Sequence, residues 1–321
     1  MSPIPKIDNK TILLSPLDWG FGHTARCVSI IRILLANNKV VFAGNEAQIN
    51  FISHEFPTIK TEFIDGYSIT LSSKKSTYIQ ISKQTIQIVK AIKKETDWVK
   101  TYICNHNIDL IISDNRYGFR HPDIESIFIS HQLNLPLPIF KKFVNNRLAR
   151  YINNFSEVWI PDNERLKLSG LLSTSDLIKI ESKKIGLLSR FILQKEIIKY
   201  DYLFIVSGPS PENFIFLHEI EQKIQETKCK IAIVSSVRSK TPKLRFDYFY
   251  LPSSSLLNQL VNQSSCVVSK SGYTTIMEMI SINKKAILIP TKGQFEQEYL
   301  AKHIRIDHLE FIESISQLTI D

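Results

Sequence analysis

The sequence predicts an α/β protein of two domains, each built on a parallel sheet flanked by helices. Three observations carry that expectation. The chain has 321 residues, enough for two domains of roughly 150 residues each. It is 43% hydrophobic, so each half can bury a core. Short apolar, β-branched runs alternate with stretches of helical apolar spacing, the order that buries a parallel sheet between helices.

The runs fall in two groups. In the first half they cover residues 11–15, 40–43, 109–113, 126–130 and 157–160. In the second half they cover 202–207, 230–234, 248–251, 266–269 and 286–290. Between them, residues 24–35 place Val28, Ile31 and Leu35 on one helical face, and residues 214–224 form a second helical stretch. The alternation lapses after Asp162. We therefore expect an N-terminal α/β domain over 1–161, a connection over 162–200 and a second, C-terminal α/β domain over 201–321.

Composition narrows the class. The formal net charge is +9, which suits nucleic acid, an anionic membrane surface or phosphorylated small molecules. No helix-turn-helix, zinc-finger or RNA-recognition signature accompanies the charge, so nucleic acid is disfavoured. The four cysteines, Cys27, Cys104, Cys229 and Cys266, form no CxxC pair and sit beside no His at ligand spacing. That predicts reduced thiols, a cytoplasmic location and no metal site. No apolar run approaches ~20 residues, so any membrane contact is peripheral.

Ligands of open parallel sheets bind at the carboxyl ends of the strands, and the unusual residues cluster there. The first strand is followed by Gly20-Phe21-Gly22-His23. There the backbone can approach a ligand closely, the following helix favours negative charge, and His23 can serve as base or phosphate grip. The alternative is a tight strand-to-helix turn with an incidental His. The spacing is not GxGxxG, which disfavours a dinucleotide-binding dehydrogenase. The next strand ends carry Asp114-Asn115-Arg116 and His131-Gln132. In the second half, Ser207-Gly208-Pro209-Ser210 and Lys270-Ser271-Gly272 follow strands, and exposed peptide N–H groups at such turns hold phosphate. Thr274, Thr275 and Glu278 lie at helical spacing behind the second turn. A carboxylate there suits a ribose diol. Gln294, Glu296 and Gln297 lie in the polar stretch after residues 286–290, with side chains suited to sugar hydroxyls. Strand ends of this kind in both halves predict a cleft between the domains.

These segments resemble the GT-B glycosyltransferases of family 28, which include the bacterial N-acetylglucosaminyltransferase that makes lipid II. Ser271-Gly272-Tyr273-Thr274-Thr275-Ile276-Met277-Glu278 resembles the family's Ser-Gly-x-x-Thr-x-x-Glu signature, and Gln297 to Ala301 its later Gln-x-x-x-Ala element. The resemblance implies two Rossmann-like domains. It implies that Glu278 binds the donor ribose, that Ser271 to Thr275 lie near the diphosphate, and that Gln297 contacts the donor sugar. Phe21-Gly22-His23 resembles the family's Gly-Gly-His turn, which implies a catalytic-site role for His23. Ser207–Ser210 resembles its second glycine-rich loop, and Arg190 falls where the family has an Arg closing the inter-domain segment. The usual Gly-x-Pro after the ribose-binding helix reads Asn283-Lys284-Lys285 here. The His of the family's His-Gln pair is Glu296, and the Asn before Ala301 is Leu300. Residues 20–27, Gly-Phe-Gly-His-Thr-Ala-Arg-Cys, also resemble the start of UDP-sugar hydrolases of nonulosonic acid pathways.

Together these readings predict transfer of a sugar from a nucleotide-sugar, a UDP-sugar by resemblance, to a hydroxyl acceptor that is lipid-linked in many relatives. The donor is a substrate, and no cofactor is implied. The alternatives are a UDP-sugar hydrolase and a catalytically silent GT-B binding protein. His23 or Asp114 is the candidate base. Ser207, Gly208, Ser210, Ser271, Gly272 and Arg190 are expected to face the diphosphate, Gly22 to touch the donor, and Asn115, Arg116 and His131 to line the acceptor side. Two basic stretches, Lys74 to Lys100 and Phe140 to Ile152, are candidates for contact with the cytoplasmic membrane face. The second places Phe143, Val144, Leu148, Tyr151 and Ile152 at helical spacing beside Lys141, Lys142, Arg147 and Arg150.

Overall fold

The computed structural model describes residues 4–19, 21–67, 85–135, 141–239 and 246–320. Its backbone gathers into two compact units, described residues 4–19, 23–67, 85–135 and 141–188 in the first and 21–22, 189–239 and 246–320 in the second.

The first unit is a sheet of seven parallel strands: β1 (Thr11–Pro16), β2 (Lys39–Gly44), β3 (Lys60–Phe63), β4 (Leu110–Asp114), β5 (Ser126–Ile129), β6 (Glu157–Ile160) and β7 (Glu181–Lys184). The strands lie in the order β3-β2-β1-β4-β5-β6-β7. Helices α1 (Phe21–Leu34), α2 (Glu46–Glu55), α3 (Thr85–Asn105) and α4 (Lys141–Ile152) connect them. The interior strands are apolar throughout because both faces are covered. Helix α3, for example, lays Val99 and Tyr102 against Leu13, Val41 and Ile111. Each large apolar side chain buried in this way contributes about 1.5–3 kcal/mol.

The second unit repeats the plan with β8 (Tyr200–Val206), β9 (Ile231–Ser235), β10 (Asp247–Tyr250), β11 (Ser264–Lys270), β12 (Ala286–Ile289) and β13 (Leu309–Phe311). Their order is β10-β9-β8-β11-β12-β13, again all parallel. Its helices are α5 (Glu212–Lys223), α6 (Ser254–Asn262), α7 (Tyr273–Ser281) and α8 (Phe295–His303). Phe216, Leu217 and Ile220 of α5 cover Phe204, Val206, Ile233 and Val268 of the sheet.

All ten runs read from the sequence are strands, within one or two residues at each end. Three strands escaped that reading, and all three are edges. Lys-Thr-Glu-Phe of β3, Glu-Ser-Lys-Lys of β7 and Leu-Glu-Phe of β13 carry charges suited to a strand with one side open. Because β7 lies within 162–200, that stretch is not wholly a connection: its first part completes the first sheet. Leu35 departs from its expected face because α1 ends at Leu34, leaving Leu35 exposed.

One departure from the family pattern has a backbone explanation. Asn283, where the family has Gly, has φ of 51°. Amide N–H groups of Asn283 and Lys284 return to the Ile280 and Met279 carbonyls at 3.1 and 2.8 Å and close the end of α7. Asn tolerates this left-handed conformation better than other side chains do.

Candidate active site

In both sheets the chain reverses direction of progress between the first and fourth strands. Those are β1 and β4 in the first unit, and β8 and β11 in the second. In open parallel sheets ligands bind at the carboxyl ends of the strands flanking such a switch point. Strand order is not visible in a single sequence, so this placement is what the structure adds.

In the first unit the switch point is held by Asp114. Pro16, the last residue of β1, is in register with Asp114, the last of β4, and the Leu17 amide donates to the Asp114 carbonyl at 2.8 Å. Gln48 of α2 steadies the turn that follows, donating to the Leu17 carbonyl at 3.2 Å and the Thr24 hydroxyl at 3.0 Å. The Asp114 side chain is fully buried. Arg26, one turn after His23 on α1, donates from Nε to Asp114 Oδ2 at 2.6 Å and from Nη2 to Oδ1. His23 Nδ1 lies 3.0 Å from Asp114 Oδ1 and 2.8 Å from Arg26 Nη2. The Cys27 thiol approaches Oδ2 at 3.9 Å.

The electrostatics follow from this packing. Burial pushes the Asp114 carboxyl up, but Arg26 and His23 together pull it down further, to about 2. Burial pushes His23 below its ordinary value and Arg26 adds to that shift. Asp114 opposes it, and His131 contributes a smaller push in the lowering direction. The imidazole is therefore neutral at pH 7 while the carboxylate beside it is ionised. Burial and then Asp114 raise the Cys27 thiol well above its usual range, so it is no thiolate nucleophile.

The expected acceptor-side residues divide. His131 is buried just beyond β5, and its influence on His23 places it in the same environment. Asn115 follows Asp114 in left-handed backbone, φ 64°, and its buried Oδ1 has no partner among the described residues. Arg116 is a correction. It is fully buried, with Nε donating to Glu95 Oε1 at 2.6 Å and Nη2 to the Asp65 carbonyl. Glu95 also accepts from the Tyr67 hydroxyl and the Gly118 amide, both at 2.9 Å. A Cβ on Gly118 would stand 2.1 Å from the Ile92 carbonyl, so only glycine fits this approach to α3. Arg116 is thus a clamp under β4 and lines no acceptor site.

In the second unit, the loop after β8 is exposed at Ser207, Gly208 and Ser210. Gly208 has φ of 103°, a conformation open to glycine. Asn213, the second residue of α5, donates to the Gly208 carbonyl at 3.1 Å and braces the loop. After β11, the buried Ser271 donates its amide to the Ile289 carbonyl at 3.1 Å, while its hydroxyl has no partner among the described residues. Gly272 is the N-cap of α7 and no side chain caps that helix. An uncapped N-terminus directs peptide N–H groups and positive dipole outward, the arrangement that holds anions.

Thr274 and Thr275 are half-buried on the first turn of α7, and Glu278 is buried one turn on. Arg190 donates from Nε to Glu278 Oε1 at 2.8 Å. The guanidinium of Arg190, expected near the diphosphate, thus bonds the expected ribose-binding carboxylate through Nε. Burial raises the Glu278 carboxyl, and Arg190 opposes that without cancelling it. After β12, Gln297 accepts from the Thr291 amide at 2.8 Å and donates to Gln294 Oε1 at 2.6 Å. Glu298 accepts from the Gly293 amide at 2.7 Å. Glu296 is half-buried on the first turn of α8.

Arg26, Gln48, Glu95, Asn213 and Glu298 were not read as site residues from the sequence. Each acts through a contact distant in sequence or within its own turn. Only Arg26 carried a signal, its place three residues after His23.

Residues 203–310 match the family described as Glycosyltransferase family 28 C-terminal domain. The second unit is a family 28 glycosyltransferase domain. Around it, the whole chain has the GT-B fold of two parallel-sheet α/β domains. It is similar to the glycotransferase of kitacinnamycin, with 13% identity over 98% of this chain and 88% of that one, at a TM-score of 0.62. It is similar to the spinosyn rhamnosyltransferase SpnG complexed with thymidine diphosphate, with 12% identity over 91% and 84% and a TM-score of 0.60. It also resembles UGT2 of Phytolacca americana complexed with UDP-2fluoro-glucose and pterostilbene, with 12% identity over 91% and 82% and a TM-score of 0.58. None of the curated proteins matches the sequence. At these identities the likeness to solved structures is one of fold.

Proposed function

We propose that this protein transfers a sugar from a UDP-sugar to a hydroxyl acceptor. The observation that carries this reading is the second unit's switch point. A glycine loop, an uncapped helix and an arginine-held glutamate lie there within the family 28 domain. In this reading Glu278 accepts the ribose hydroxyls. The amides of Ser207–Ser210, Ser271 and Gly272 face the diphosphate, while Thr274, Thr275, Gln294, Glu296 and Gln297 read the remainder of the donor. The bond between the anomeric carbon and the phosphate oxygen breaks as the acceptor oxygen attacks. The departing charge falls on amides and helix dipole, so a metal ion is not required.

The acceptor's proton goes to His23. With Nδ1–H donated to Asp114, Nε2 carries the lone pair, and a neutral imidazole is the form that accepts a proton. Asp114, held at about 2, orients the imidazole and does not itself serve as base. In this reading Asn115 and His131 meet the acceptor.

A lipid-linked acceptor on an anionic membrane face fits α4. Lys141, Lys142, Arg147 and Arg150 are exposed there around Phe143, which is 70% exposed, and the helix contains no acidic residue. Lys90, Lys93, Lys94 and Lys100 are exposed on α3, whereas Lys74, Lys75, Lys83 and Phe140 lie outside the described residues. Among the described residues no helix is long and apolar enough to cross a membrane.

The hydrolase is the second reading. Arg26 and Cys27, which with His23 carry the resemblance to UDP-sugar hydrolases, both lie on Asp114. The two readings separate by nucleotide release from a panel of UDP-sugars. Release that requires a lipid extract or alcohol acceptor supports the transferase. Release at the same rate in buffer alone replaces it with the hydrolase.

A further inference from the structure

We propose that Arg26 is the positioning residue of the first unit's site: its guanidinium takes up the charge of Asp114 and abuts Nδ1 of His23, so that the imidazole works as a neutral group. The proposal rests on the reading of His23 as proton acceptor and deepens it.

The geometry distinguishes this site from a simple His–Asp pair. A buried carboxylate beside a histidine ordinarily favours the imidazolium, because opposite charges attract strongly at short range. Here both Asp114 oxygens already accept from Arg26, through Nε at 2.6 Å and through Nη2. The same Nη2 stands 2.8 Å from His23 Nδ1. A proton added to His23 would therefore place an imidazolium against a guanidinium. Among the described residues, the groups acting on His23 are Arg26 from α1, Asp114 from the end of β4 and His131 from beyond β5, with Cys27 of α1 lying on Asp114. Cys27 is a neutral thiol, and His131 acts on His23 in the same direction as Arg26. Asp114 alone favours the charged imidazole, and Arg26 neutralises it. Arg26 is 1% exposed, so it acts on the imidazole from within the core, through its contacts with Asp114 and His23.

The test is a pH titration of the histidine ring signals by NMR in the full-length protein, with the His23 signal assigned by its loss in His23→Gln. Wild type, Arg26→Gln and Arg26→Lys are compared, and circular dichroism establishes that each is folded. We expect His23 in the wild type to titrate below the ordinary imidazole value near 6.5. In Arg26→Gln its proton affinity should rise by roughly tenfold or more, since one unit of pKa is a tenfold change. Arg26→Lys should restore part of the wild-type behaviour, because a lysine keeps the charge and loses the fork. If Arg26→Gln does not fold, the smaller rise in Arg26→Lys carries the test. A His23 midpoint unmoved in the folded variants overturns the proposal. The titration needs no substrate, so its failure is separate from that of the transferase reading. Where an active donor pair is found, the acid limb of the kcat/KM profile should move to higher pH in the same variants.

Discussion

Each unit buries a candidate-site carboxylate against an arginine, Asp114 on Arg26 and Glu278 on Arg190, and the two carboxylates behave in opposite ways. Asp114 in the first unit is held down to about 2, whereas Glu278 in the second is raised. Burial pushes both upward, so burial does not decide the difference. Asp114 accepts two bonds from Arg26 and a third from His23, and the guanidinium charge together with those bonds outweighs the desolvation of the carboxylate. Glu278 accepts from Arg190 Nε at a side chain that keeps 15% of its exposure, and desolvation prevails. A buried ion pair does not have one electrostatic character. The number of charge-assisted bonds sets it. The first arrangement suits a permanently ionised orienting group, and the second suits a carboxylate that a ligand's hydroxyl groups can re-solvate.

Removing the charge of Asp114 is the most severe way to break this contrast. Asp114→Asn leaves the buried Arg26 without a counter-charge, and we expect a loss of about 3–5 kcal/mol of stability, read by urea unfolding, with loss of turnover. His23→Gln should keep the fold and lower the rate by roughly 10²–10⁴-fold, read by nucleotide release with a competent acceptor. An unchanged rate would remove His23 from the chemistry.

The pH dependence of stability sharpens the comparison. The folded Asp114 carboxyl lies below its unfolded value, so its contribution is fully present above about pH 4 and is lost as pH falls through about 2. It amounts to roughly 2 kcal/mol. The raised Glu278 has the opposite sign: its contribution is present below the unfolded glutamate value and is lost as pH rises through the folded one. The urea-measured stabilities of wild type and Asp114→Asn should therefore approach each other as pH falls toward 2, and Glu278→Gln should not reproduce that approach.

Smaller effects belong to the second unit. Arg190→Ala frees Glu278 from its partner. It should cost about 1.5–3 kcal/mol, the range for hydrogen bonds to charged groups, and should weaken nucleotide-induced stabilisation. Gly208→Ala puts a side chain in left-handed backbone with open space around it. It should cost about 1 kcal/mol, read by thermal unfolding, with a weaker nucleotide response as its further sign.

What the sequence revealed and what it hid follow the same physics. Interior strands such as β4 and β11 are apolar on both faces, and they were legible as continuous runs. The edges β3, β7 and β13 carry the charges of open strands and read as loop. Ser271 to Glu278 was legible because a short strand–loop–helix needs its polar residues at fixed offsets. The pairings of Arg116 and Arg190 were not legible because a partner distant in sequence decides what a guanidinium does. Glu95 lies 21 residues before Arg116, and Glu278 lies 88 after Arg190. Nothing in the flanking residues announced either pairing. Arg26 was visible as a motif letter, and only the fold of β4 beside α1 shows that it rests on Asp114.

The most direct test of the donor site is thermal stabilisation by UDP, GDP, CMP and TDP, with Glu278→Ala alongside the wild type. A ligand at a hundred times its dissociation constant adds about 2.7 kcal/mol to the folded state, a readable shift. The account predicts stabilisation by UDP above the others and a reduced shift in Glu278→Ala. Wild-type protein unmoved by every nucleotide at millimolar concentration would contradict it and bring the silent binding protein to the front.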